Sequence, residues 1–132
     1  MFNGDPNKTY ALSVQPIWAW AIVHGHKTIE NRSWKTNYRG RLLIHATAKQ
    51  PNEAKLRAWF ASHGIDVPAD LPRGAIVGSV EVVDCVRCSR GLRALWSPWA
   101  VGPYCWVLGN ARADAVAVPT RGRQGLWALV PV

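Results

Sequence analysis

The stretch AIVGSVEVVDCV, residues 75–86, constrains this chain more than any other. It is rich in β-branched side chains, which pack well on a pleated surface, and it is apolar enough for burial. It reads as a long strand inside a sheet, with Gly78 marking a bulge. Shorter strand patterns surround it. Residues 11–14 are an apolar run, and residues 28–32 place Ile29 on one face and Glu30 and Arg32 on the other. Residues 41–46 turn Leu42 and Ile44 one way and Leu43 and His45 the other; residues 104–108, 115–118 and 126–130 are further strands.

Two helices enter early. Residues 16–23 start with Pro16 in the first turn, stop at Gly25 and are apolar nearly all round, so that Trp20 is expected to leave the buried stripe. Residues 52–63 carry Asn52 as N-cap, Glu53 near the positive end and Gly64 as the closing residue. Residues 67–73 read as a Pro-rich loop, residues 89–95 as a helical turn and residues 121–125 as a basic glycine loop. The expected fold class is mixed and mainly β. It is a small barrel of about six strands with two or three helices alongside, an arrangement that removes open sheet edges. A length of 132 residues fits one domain, residues 1–132, with a real core.

The charge is lopsided. Sixteen Lys and Arg face eight Asp and Glu, a net charge of +8, and eleven of the sixteen are Arg. Guanidinium groups fork onto phosphate and stack on bases, so a polyanion comes first among partners. Eight tryptophans exceed what a core of this size needs and leave some for a stacking surface. The first ten residues lack an apolar signal region, and no apolar run reaches the ~18 residues that span a bilayer. Cys85, Cys88 and Cys105 are odd in number, which argues against a disulfide framework and for a reducing, cytoplasmic setting. One C-x-x-C pair makes a weak zinc signal, and buried thiols are the reading; neither metal nor cofactor is expected.

Chemistry concentrates in GHKTIENRSWKTNYRGR, residues 25–41. Lys27, Arg32, Lys35, Arg39 and Arg41 stand there with one acid, Glu30, and with Trp34 and Tyr38 between them. Basic groups contact phosphates, and aromatic faces take unstacked bases. Trp34 also has a packing reading, and Arg39 and Arg41 flanking Gly40 also fit a plain surface turn. Lys27, Glu30 and Arg32 are open to two readings, a simple ion-pair cluster or a charged site in which Glu30 holds the cations or acts as a base. Glu81 is either a carboxyl buried in its strand, with general acid or base potential, or an outward-facing residue. His45 is a strand histidine in or near a cleft, and His63 suits a helix C-terminus. In RGRQG, Arg121, Arg123 and Gln124 are placed to touch phosphate or a base edge if Gly122 and Gly125 let a ligand approach the backbone; a tight turn explains the glycines equally well. No nucleophile elbow, Walker loop or dinucleotide fingerprint is present.

Taken together, Gln15, Pro16, Gly25, Lys27, Glu30, Arg32, Ser33, Trp34, Thr36, Arg39, Gly40 and Arg41 resemble the activating signal cointegrator homology (ASCH) family. That pattern has a Q-P-W-like helix start, then G-x-K-x-x-E-x-R, then S-W-x-T-x-x-R-G-R. The likeness continues through residues 75–86 and the closing PTRGRQGLWAL, and it is nearest to the ASCH domain of a eukaryotic transcription coactivator. The resemblance implies a PUA-like β-barrel with a cleft beside its helices and a role on RNA. That cleft would be lined by Lys27, Glu30 and Arg32, with Trp34 and Arg39 at its mouth.

One branch of the family hydrolyses acetylated cytidine with a Lys, a Thr three residues later and a distant Glu. Here these positions correspond to Lys27, Glu30 and Glu81, so the hydroxyl nucleophile is missing. Another member is reported to cut RNA. The expectation is therefore a module that binds RNA or single-stranded DNA, in RNA processing or translation-linked regulation. Lys27, Arg39 and Arg41 would hold phosphates, Trp34 or Tyr38 would stack, and Glu30 with Arg32 would address the base edge. The alternatives are a hydrolase of RNA or modified nucleosides using Lys27, Glu30 and Glu81, and a protein-interaction module of a transcription complex.

Overall fold

The computed structural model describes residues 4, 5, 7–88 and 98–129. Its elements follow in the order β1 (Tyr10–Val14), α1 (Pro16–Val23), β2 (Ile29–Arg32), β3 (Gly40–Ala46), α2 (Glu53–Ser62), β4 (Ala75–Arg87), β5 (Tyr104–Pro119) and β6 (Leu126–Ala128). The expected helical turn over residues 89–95 lies outside the described residues. The six strands form one curled, mainly β sheet in the order β2-β5-β4-β3-β1-β6. Only β1 and β3 run parallel, joined by the crossover that contains α1 and β2; every other neighbouring pair is antiparallel.

The long strand expected from residues 75–86 is β4, and it sits between β3 and β5. Its pairing with β5 slips between Ile76 and Gly78, between Ser79 and Glu81, and between Val82 and Asp84. Each slip bends the strand and sharpens its twist, which is what curls the sheet. Gly78 has no room for a side chain. A Cβ there would meet Val23 Cγ1 at 2.8 Å and the Arg112 carbonyl oxygen closer still. Glycine at that point lets β5 and α1 close on the strand.

Two expectations need correction. Residues 104–108 and 115–118 belong to a single strand, β5, because the polar stretch between them stays paired with β4 instead of turning. Asn110, at φ 49°, absorbs the irregularity within it. Asn52 does not cap α2 with its side chain: it sits in the left-handed region and only its carbonyl joins the helix, accepting from Leu56 N–H.

Helix α1 is apolar all round because it is covered on two sides. Ala19, Ile22 and Val23 join the main core with Leu12, Leu42, Ile44, Val80 and Trp106 on the sheet. On its other flank Ile17 and Ala21 pack with Phe60 of α2, where Trp18, Trp20 and Trp99 complete an aromatic layer. Trp20 leaves the buried set as expected, and so does Trp18. No helix among the described residues is long and apolar enough to cross a membrane.

Candidate nucleic-acid interface

The turn after α1 aims Lys27. Gly25, at φ 79°, lets the chain reverse, and His26 N–H and Lys27 N–H both donate to the Ala21 carbonyl at 2.8 and 3.0 Å. This folds Lys27 back over the helix, and its ammonium lies 5.3 Å from the Trp18 ring centroid. Lys27 is only 5% exposed. Its ammonium donates to the Ile29 carbonyl and lies 3.2 Å from Glu30 Oε1. Burial pulls its pKa below the ordinary lysine value, and Glu30 opposes that shift.

Strand alternation does the rest. Glu30 and Arg32 share a face of β2, and Arg32 Nε donates to Glu30 Oε2 at 3.0 Å. Arg32 Nη2 donates to the Ser13 carbonyl on β1 at 2.9 Å. Each oxygen of the buried Glu30 carboxylate therefore faces one cation. The trio is an ordered Lys27–Glu30–Arg32 chain rather than three loose surface charges.

This chain lines a cleft of about 720 Å³ together with four tryptophans: Trp18 from α1, Trp34 after β2, Trp59 from α2 and Trp99. Trp34 is 36% exposed and packs edge-on against Trp106 with 4.9 Å between centroids, so it is both packing and cleft wall. Trp59 packs on Trp99 at 5.5 Å, and Trp99 on Trp18 at 6.4 Å.

Asn31 fixes the wall that carries Trp99. Its side chain donates to the Trp99 carbonyl at 2.9 Å and accepts from Val101 N–H and Gly102 N–H, each at 2.9 Å. The sequence gives no spacing signal for Asn31, because its partners lie some seventy residues away. Gln50 is a second residue without a sequence signal. Its side chain accepts from Ile17 N–H at 2.9 Å and so satisfies the start of α1 that Gln15 leaves uncapped.

The family model for the ASCH domain matches residues 12–112, most of the chain, and that range includes every residue that lines the cleft. The chain belongs to the ASCH domain family. Over 128 residues, 91% of this chain, it is 31% identical to activating signal cointegrator 1 of Homo sapiens and 29% identical to that of Mus musculus. It spans 22% of the length of each. Crystal structures of two variants of an ASCH protein from Zymomonas mobilis share its fold. Their TM-scores are 0.61 and 0.58, at 14% and 16% identity, covering 94% and 93% of this chain and 91% and 89% of theirs.

Other residues singled out in the sequence lie elsewhere in this ASCH domain. Glu81 is half-buried on β4 opposite Arg41, accepts from the Asn110 side chain at 3.2 Å and does not line the cleft. Arg41 reaches across the sheet to the Asn110 carbonyl at 2.7 Å. Arg39 donates to the Thr36 and Tyr38 carbonyls and lies 3.5 Å from Asp84. Tyr38 packs on Tyr10 and donates its hydroxyl to the Arg41 carbonyl. Lys35 is exposed and outside the cleft lining.

His45 is buried beside β1, with Nε2 2.7 Å from the Thr120 carbonyl and Nδ1 3.0 Å from Ser13 Oγ. The carbonyl can only accept, so Nε2 carries the proton. Ser13 Oγ in turn accepts from Trp127 Nε1 at 3.1 Å. His45 and Gln124 line a second hollow, while Arg121 is exposed outside it. Cys85, Cys88 and Cys105 are buried thiols in no disulfide, and burial pushes the Cys105 thiol up to about 11. Among the described residues no three His, Cys, Asp or Glu side chains are placed to hold a metal.

Proposed function

We propose that this ASCH domain binds single-stranded nucleic acid, RNA foremost, with a splayed nucleotide in the cleft between α1, β2 and α2. The observation that carries this reading is the meeting of four tryptophan side chains with the Lys27–Glu30–Arg32 chain in one hollow. Aromatic faces take bases at roughly 1–3 kcal/mol each regardless of sequence, and a guanidinium held on two sides offers its remaining N–H groups to a phosphate. The net charge of +8 supplies the long-range attraction that draws a polyanion to the site.

Binding is better supported than hydrolysis. Both Glu30 oxygens are taken up by cations of the protein itself, Oε1 by Lys27 and Oε2 by Arg32, so the carboxylate serves to hold those two side chains in place. Glu81 lies outside the cleft, and position 30 offers no hydroxyl. Titrating a fluorescent single-stranded RNA at several salt concentrations tests the proposal. Affinity should fall steeply as salt rises, and Trp34→Ala and Arg32→Ala should each weaken it. Affinity that is flat in salt, or indifferent to both substitutions, would overturn it.

A further inference from the structure

A second hollow, of about 610 Å³, opens beneath the loop of residues 120–125, and it shares Ser13, Arg32 and Thr47 with the tryptophan-lined cleft. Both volumes fall within the roughly 300–1,000 Å³ usual for small-molecule sites, so each is large enough to be a subsite in its own right. Arg32 borders both. Of its five N–H donors, Nε–H goes to Glu30 and one on Nη2 goes to the Ser13 carbonyl. Three donors are left for a ligand at the boundary, on a guanidinium already locked in orientation.

The two hollows differ in chemistry. The first is walled by indole rings. The second is lined by Arg123, Gln124 and His45 and by no aromatic side chain other than that buried histidine. Its roof is held close by Gly122, where a Cβ would stand 2.7 Å from His45 Nδ1 and 2.9 Å from Ser13 Oγ. His45 ties the same loop down through the Thr120 carbonyl. The loop is therefore anchored at its base while Arg123 and Gln124 remain exposed. A guanidinium and a carboxamide at that place suit a phosphate and the donor–acceptor edge of a base.

We infer that the two hollows form one groove for two consecutive nucleotides, with Arg32 on the linking phosphate and Arg123 and Gln124 on the second nucleotide. This rests on the binding function proposed above and gives it a length and an internal order. One base stacks among the tryptophans, and its neighbour is held by polar contacts under the loop. The second nucleotide adds affinity without adding a stacking platform.

The experiment compares a ribonucleoside monophosphate with the dinucleotide UpU by calorimetric or fluorescence titration. The wild-type protein is set beside the double substitution Arg123→Ala, Gln124→Ala. UpU should bind the wild type roughly tenfold more tightly than the mononucleotide, as expected from one or two added contacts to a charged group. In the double variant that ratio should fall close to one. A wild-type ratio near one, or a ratio that survives the double substitution, overturns the two-nucleotide groove while mononucleotide binding still supports the first cleft. If neither ligand binds the wild type, both the groove and the underlying function fail.

Discussion

The ammonium of Lys27 and the carboxylate of Glu30 lie 3.2 Å apart, with both residues less than one-tenth exposed. Removing one member of such a pair leaves a buried charge with less compensation, which typically costs ~3–5 kcal/mol. The two members are not equivalent. Glu30 also holds Arg32, so Glu30→Gln weakens two cation contacts, whereas Lys27→Met leaves the Glu30–Arg32 pair in place. Chemical denaturation should therefore show Glu30→Gln to be clearly more destabilising than Lys27→Met. Equal losses would mean that the Glu30–Arg32 contact adds nothing to the stability of the fold.

Two buried groups give opposite slopes of stability with alkaline pH. The folded pKa of Lys27 lies below 10.5, so between that value and 10.5 the unfolded chain binds more protons, and the Lys27 contribution to stability rises with pH. Cys105 behaves in the other sense. Its thiol is held protonated up to about 11 against an ordinary 9.0, so its contribution is intact below 9.0 and is lost as pH climbs toward 11. Unfolding free energies measured from about pH 8 to pH 10.5 should show this by subtraction. Wild type minus Lys27→Met should increase with pH, and wild type minus Cys105→Ala should decrease.

Loop anchoring gives a third prediction. Gly122→Ala drives a methyl group into the His45 ring and toward Ser13 Oγ, where the Trp127–Ser13–His45–Thr120 chain of hydrogen bonds leaves little slack. The expected loss is about 1–3 kcal/mol, the usual scale of overpacking. Gly125→Ala meets no atom within 4 Å, but Gly125 sits at φ 68°, so its cost is backbone strain alone. Thermal unfolding should place both below wild type. Only Gly122→Ala should also shift the imidazole resonances of His45.

Local pattern made part of this legible, and long-range closure hid the rest. Period-two alternation is enough to put Glu30 and Arg32 on one face, and the glycine after α1 is enough to place Lys27 at a corner. Sequence proximity misleads for Tyr38, Arg39 and Arg41. Arg41 is on β3 and Tyr38 and Arg39 lead into it; β3 lies between β4 and β1 and carries them away from β2, the strand they follow in the chain. The tryptophans of the cleft come from α1, the segment after β2, α2 and the segment before β5, so no window of the sequence contains the site. The run inside β5, residues 109–114, separates two strand patterns in the sequence because it lacks large apolar residues. Its backbone nevertheless keeps the ladder with β4, and that choice is made by the partner strand.

Asn31 carries the last prediction, because one side chain there serves three backbone groups of the wall opposite α1. Asn31→Ala removes the acceptor for Val101 N–H and Gly102 N–H and the donor to the Trp99 carbonyl. The Trp99 and Gly102 bonds are partly buried and the Val101 bond is exposed; at about 1 kcal/mol for each bond, less where water replaces it, a total near 2–3 kcal/mol is expected. Asn31→Asp separates the two roles: the carboxylate can still accept from Val101 and Gly102 but has no donor for Trp99. Because Trp99 packs on both Trp18 and Trp59, loosening its segment should also blur the aromatic wall. Hydrogen exchange should then report faster exchange at Val101 and Gly102 in Asn31→Ala than in Asn31→Asp, and RNA affinity should fall in both. Unchanged protection at those two amides in Asn31→Ala would show that the wall is held by something other than Asn31.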